Sequence, residues 1–219
     1  MDCRTTKAFD HFLAGLGPEA REEALRVLAG EVRDLRALPP GAERAREVHR
    51  RVDAAQARFA ALRPDVAGQV RCSRGCSHCC RLWVGVTRDE AELLCASEVR
   101  PDPGRLEAQR FWTSPSDFIG KPREEASCVF LGPDGACAVY RDRPAICRAV
   151  LVASDPEFCR GGDLATRITA VINPYAEVVV SAALTLDAEA DPPPPAGRHL
   201  AHALGRGRGN SPEPPPPGF

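Results

Sequence analysis

The chain has 219 residues, 43% hydrophobic and 27% charged, with a formal net charge of -1 and a pI of about 6.5. This is the composition of one ample globular domain, or of one domain with an appendage. It excludes a molecule drawn as a whole to nucleic acid or anionic lipid by its charge. Lys7 and Lys121 are the only lysines, and the Arg, Ala, Pro and Gly bias reads as the imprint of a GC-rich coding genome rather than of function.

The opening "MDCRTTKAFDHFLAGLG" is interrupted by charges and lacks the apolar core of a secretory signal. No later run approaches the ~20 apolar residues of a membrane helix. A cytoplasmic protein without a membrane partner is expected, and in that reducing compartment clustered thiols hold metal or do redox work more often than they form disulfides.

Residues 9–38 show helical periodicity, with Phe9, Phe12, Leu13 and Leu16 in one stripe and Leu25, Leu28, Val32 and Leu35 in another. "GLGP" at 15–18 separates them, and Pro18 suits a first helical turn. After the "PPG" breaker at 39–41, Ala45, Val48, Val52, Ala55, Phe59 and Leu62 step by three and four in a short heptad seam. Two such helices predict an antiparallel hairpin over residues 1–66. Its stripe either packs on the rest of the chain, the preferred reading, or serves as an arm for a protein partner.

A domain over residues 67–187 follows. "RLWVGV" predicts a short strand, and Thr87-x-x-Glu90 predicts a capping box opening a helix through about Val99. A shorter helix is expected around 104–112. In "CVFLGPDGACAVYRDRPAICR", residues 128–148, two β-prone pieces flank the turn residues "GPDG", which predicts a small β-hairpin. Pro144 can then start a helical turn carrying Cys147. Leu164, Ile168, Val171 and Ile172 read as a helical stripe, and Tyr175, Val178, Val179, Ala182 and Leu186 as a further helix, although a valine run also suits strands. Residues 188–219, with "DPPPPAG" and "GRGRGNSPEPPPPGF", carry too little apolar surface to offset ordering entropy, so a disordered Pro-rich tail is expected. Its proline runs are a second candidate protein contact. Its Arg-Gly pairs are a weak lead to RNA, and no nucleic-acid partner is expected.

The chemistry lies in the cysteines. Cys72, Cys76, Cys79 and Cys80 crowd into "CSRGCSHCC", and Cys128, Cys137, Cys147 and Cys159 follow downstream. Spacings of four and three place Cys72, Cys76 and Cys79 along one face of a turn-like backbone. A tetrahedral thiolate site has metal–sulfur bonds of about 2.3 Å, hence sulfurs about 3.8 Å apart, which clustered ligands and a distant segment can supply together. Adjacent side chains diverge, so Cys79 and Cys80 make better sense serving two destinations than one.

Ten cysteines in 219 residues fall below the roughly 8–10% of disulfide scaffolds. Unliganded core thiols are common singly, but not four together beside Gly, Ser and Arg. Metal is therefore the preferred reading. Cys95, in an amphipathic helix, is expected to be a buried structural thiol, and Cys3 is not a favoured ligand. His78, inside the cluster, is a reserve ligand. Arg71, Arg74, Arg81, Arg141, Arg143 and Arg148 flank the thiols; a zinc ion with four thiolates carries a net charge of −2, which such residues would offset.

The pattern C-x3-C-x2-C-C, with Cys128, Cys137 and the string Tyr140…Arg143-Pro144…Cys147-Arg148, resembles the YkgJ-type cysteine-cluster family of bacterial proteins. The resemblance covers residues 72 to about 159 and implies zinc or iron chelation. Flagellin lysine methylases are similar in the same cysteines, and there an iron–sulfur cluster is implicated. This chain shows no glycine loop for a nucleotide or S-adenosylmethionine, so methyl transfer is not carried over. H-E-x-x-H and G-x-S-x-G are also absent.

The expected protein is thus mainly α with a small β-hairpin. Its cysteine-rich core is stapled by zinc or iron through Cys72, Cys76, Cys79, Cys80, Cys128, Cys137, Cys147 and Cys159. Two alternatives from other classes stay open at this stage: an iron–sulfur enzyme, and a metal-stapled adaptor.

Overall fold

Helix starts follow the capping signals closely. Thr6 accepts from the Phe9 amide at 3.0 Å and opens α1, Lys7–Ala14. Pro18 sits in the first turn of α2, Pro18–Arg36, as the "GLGP" break predicts. The computed structural model describes residues 5–112, 114–118, 120–122, 124–160, 166–190 and 198–206. Cys3 and the proline runs at 191–197 and 207–219 lie outside them.

Pro39–Gly41 turns the chain into α3, Ala42–Leu62, with α4, Pro64–Ala67, just beyond. Gly41 is required at this turn: its φ is +108°, and an added Cβ would lie 2.7 Å from Glu92 Oε1. The heptad seam is buried from Ala45 to Phe59, but Leu62 is exposed. So is Leu25 in α2, while Leu28, Val32 and Leu35 are fully buried.

The expected hairpin is not a unit closed on itself. The apolar faces of α2 and α3 both pack chiefly on α8, Pro174–Glu189, which returns from the far end of the chain. α8 is apolar nearly all round, and burying such a helix takes neighbours on several sides. The resulting core joins Phe9, Leu28, Val32, Leu35, Val48 and Val52 to Ala145, Ala149 and the α8 valines. A boundary at 66/67 therefore does not separate two cores, and the α3 seam is spent on packing within the chain. The valine run of α8 resolves as helix: Asn173 caps it through the amides of Tyr175 and Ala176.

A second core lies beyond α3. β1, Gly85–Val86, leads into α5, Arg88–Cys95, which starts with the predicted Thr87–Glu90 capping box and stops four residues earlier than the sequence suggests. α6 spans Pro103–Gln109, and α7, Ala145–Ala149, follows Pro144. β2, Leu151–Val152, pairs antiparallel with β3, Ala170–Val171. The stripe expected to be helical at 164–172 is thus in part a strand, with residues 161–165 outside the description.

The expected tail also holds an ordered piece. β4, Arg198–His199, pairs antiparallel with β1, and α9, Leu200–Arg206, follows at once. Leu200, Ala201, Ala203 and Leu204 are buried against Val84, Val86, Ala91, Leu94, Val129 and Phe130. Composition missed this segment because its four buried apolar residues gain their partners only from the second core. The reversal predicted at "GPDG" is present, but as one antiparallel bridge, Leu131 with Cys137, rather than a ladder. No described helix is long and apolar enough to cross a membrane.

Candidate metal centre

The two cysteine segments meet. The Cys128 amide donates to the Cys80 carbonyl at 2.7 Å, which places the downstream segment directly against the 72–80 loop. The Arg71 amide donates to Val152 O at 2.8 Å, and the Val152 amide donates to Cys72 Sγ at 3.3 Å, so β2 holds the start of the loop. The "GPDG" turn lies against the loop's middle: a Cβ added at Gly135 would stand 3.6 Å from Ser77 Oγ. Cys79 and Cys80 ride on a 3-10 turn, His78–Arg81, which packs on a second 3-10 turn, Pro156–Arg160, carrying Cys159. Cys147 is presented by α7.

Hydrogen bonds from flanking residues set this arrangement. Arg105 Nη1 donates to Cys128 O at 3.1 Å and Leu131 O at 2.7 Å, and the buried Gln109 donates to Ser127 O at 2.7 Å. Arg148, almost wholly buried, donates to Arg143 O at 2.9 Å, to Arg141 O, and to Asp53 Oδ2 at 2.6 Å. It therefore ties the loop before α7 to α3, as well as lending charge to the thiols. Glu90 is the deepest link. Its Oε1 accepts from the Ala145 amide at 2.6 Å and faces His49 Nε2 at 3.1 Å, while its Oε2 accepts from the Thr87 amide at 2.9 Å. The capping-box signal marked Glu90 locally. Its partners on α3 and α7, and the roles of Arg105 and Gln109, had no sequence signal because they depend on long-range packing.

Electrostatics bind the eight thiols into one system. Burial pushes up the thiols of Cys72, Cys137 and Cys159, raises Cys147 well above its ordinary value, and moves Cys128 up to about 11. Cys147 does reach solvent, and the charges of Cys128, Cys79, Glu90 and Cys137 add to its upward shift. For Cys79 the largest cause is its hydrogen bond with Cys80, with burial next, and together they drive it far upward. Charge on Cys79 further raises Cys72, Cys128, Cys137, Cys147 and Cys159, while Cys76 acts on Cys72 and Cys159. Arginines work in the opposite direction: Arg143 on Cys79 and Cys137, Arg148 on Cys137, Arg105 on Cys128. Arg143 stacks on the Tyr140 ring at 3.9 Å, and Arg74, from the first loop, lies 5.4 Å from the same ring. Tyr140 thereby fixes one guanidinium from each segment beside the thiols.

Cys72, Cys79, Cys128, Cys137, Cys147 and Cys159 are thus disfavoured as free thiolates, a cost that a bound cation would offset. Soft sulfur donors suit zinc and iron, so the residues present fit such a metal. None of the nine described cysteines is in a disulfide. Among the described residues no three His, Cys, Asp or Glu side chains already stand in ligand geometry, so the thiols are gathered but not drawn into a coordination shell. Cys95, expected to be buried, is half-buried in α5, where it packs against the second core.

Residues 71–162 match the CxxCxxCC family model. Its description is "Putative zinc- or iron-chelating domain", and it is the YkgJ-type family that the cysteine pattern resembles. The matched segment spans the whole converged cluster, from Cys72 to Cys159. The CxxCxxCC label has two residues in its first interval, whereas this chain has three between Cys72 and Cys76. This interval contains a turn: the Cys76 amide donates to Ser73 O at 3.1 Å, and Gly75 has φ +91°. No curated protein and no solved structure matches the chain.

Proposed function

We propose that Cys72, Cys76, Cys79, Cys80, Cys128, Cys137, Cys147 and Cys159 form one thiolate basin that chelates zinc or iron and staples the domain. The observation that carries this reading is the convergence of both cysteine segments, with the Cys128 amide bonded to the Cys80 carbonyl. The family description supports the metals. A bound cation supplies the positive charge that lets mutually repelling thiols ionise, and its binding releases their protons. Arg143, Arg148 and Arg105 offset what negative charge remains. Cys79, coupled to every other downstream thiol of the set, is the central ligand, and Cys80 is its branch to a second destination. The wider biology is a reducing, cytoplasmic setting in which the thiols stay available to metal.

The test is elemental analysis and a visible spectrum of protein purified without oxygen, with a count of reactive thiols. Bound zinc gives a colourless protein, and an iron–sulfur cluster a brown one. In either case most of the eight thiols are protected until a chelator is added. A metal-free protein that neither takes up zinc or iron nor shows protected thiols would end the proposal.

A further inference from the structure

His78 Nδ1 is sealed from solvent and has no hydrogen-bond partner among the described residues. An unpaired buried nitrogen is costly, and this one sits at the head of the turn that carries Cys79 and Cys80. Several other polar groups of the turn are paired. The Cys80 amide donates to Ser77 O and the Leu82 amide to Cys79 O, each at 3.1 Å, and Arg81 Nη1 donates to Ser77 O at 3.3 Å. The Nδ1 of His78 is thus an unused donor atom on the same turn that carries Cys79 and Cys80.

We infer that His78 Nδ1 is itself a metal ligand, making the centre a mixed nitrogen–sulfur site. The inference rests on the reading of the thiols as a metal chelator and goes beyond the cysteine pattern that defines it. Neutral imidazole is a good donor to zinc and iron alike. It also relieves the electrostatic problem of the basin. A divalent ion held by three thiolates and one imidazole carries −1, where four thiolates leave −2. With Nδ1 on the metal, the ring proton resides on Nε2.

Full-length protein, reduced and loaded anaerobically with Zn2+ alone, tests this by zinc-edge X-ray absorption and by 15N NMR of histidine-labelled protein. His78→Gln is measured alongside, with His11→Gln as a control on the exposed surface. Wild type and the control should show a nitrogen shell at about 2.0–2.1 Å beside sulfur at about 2.3 Å, and one shifted Nδ1 resonance. His78→Gln should lose both and bind zinc about 100-fold more weakly or worse, since outer-shell losses already cost roughly 10–100-fold. The wild-type spectra do not depend on the variant folding. Zinc bound through sulfur alone, or a nitrogen shell that survives His78→Gln, overturns the histidine while leaving the thiolate basin intact. Failure to take up zinc also overturns it, and failure with iron as well removes the wider reading too.

Discussion

Glu90→Gln is a sharp test of what holds the cysteine-bearing elements together. Both carboxylate oxygens of Glu90 face donors: the Ala145 amide and His49 on one side, the Thr87 amide and hydroxyl on the other. A carboxylate accepts on both sides, whereas an amide must turn its NH2 towards one of them. The variant therefore leaves one or two buried donors unpaired at about 1–3 kcal/mol each, for a loss of about 2–4 kcal/mol. In a chain of this size each kcal/mol shifts Tm by roughly 2–4 °C, so a Tm lower by roughly 4–16 °C is expected. Burial alone would raise the Glu90 carboxyl, but the hydrogen bond and charge of His49, with the Ala145 and Thr87 amides, outweigh it and hold the pKa below its usual value. A depressed carboxyl stabilises the fold above its unfolded pKa of ~4.3 and loses that contribution as pH falls through the lowered folded value. Thermal unfolding followed by circular dichroism at pH 7 and in acid should show the two proteins far apart at neutrality and converging at low pH. A variant within about 2 °C of wild type at pH 7 would show that Glu90 does not secure α7.

Three further outcomes follow from the geometry. The raised Cys128 thiol stabilises the metal-free fold below its ordinary value of 9.0, and that contribution is lost as pH rises through about 11. Urea denaturation should record a loss of about 3 kcal/mol over that range, reduced in Cys128→Ser; a flat profile would contradict the burial of this thiol. Arg143→Gln removes the charge that draws down Cys79 and Cys137, so zinc affinity, measured against a chromophoric chelator, should fall roughly 10-fold or more at pH 7. Arg143→Lys, which cannot reproduce the planar stack on Tyr140, should recover only part of it. For the last helix, Leu200→Ala with Leu204→Ala should cost about 4 kcal/mol or more by melting, because both leucines are 3% exposed or less. A negligible shift would mean that α9 is not part of the second core.

The amino-acid sequence alone determined the local features. The Thr87–Glu90 box, Pro18 and the Pro39–Gly41 turn act within a few residues, so their signals are readable without a fold. The clustering of the thiols was legible for the same reason, since four of them fall in nine consecutive positions. The tertiary structure decided what those pieces meet. The α3 seam looked able to serve an arm, and only the arrival of α8 fills it. Residues 198–206 looked like part of a featureless tail, and only β1 and the second core give them a partner. Glu90 looked like a helix cap, and proves also to fasten α3 to the helix that carries Cys147. Propensity and capping depend on neighbours along the chain, whereas burial and charge coupling depend on neighbours in space, which no spacing within one segment records.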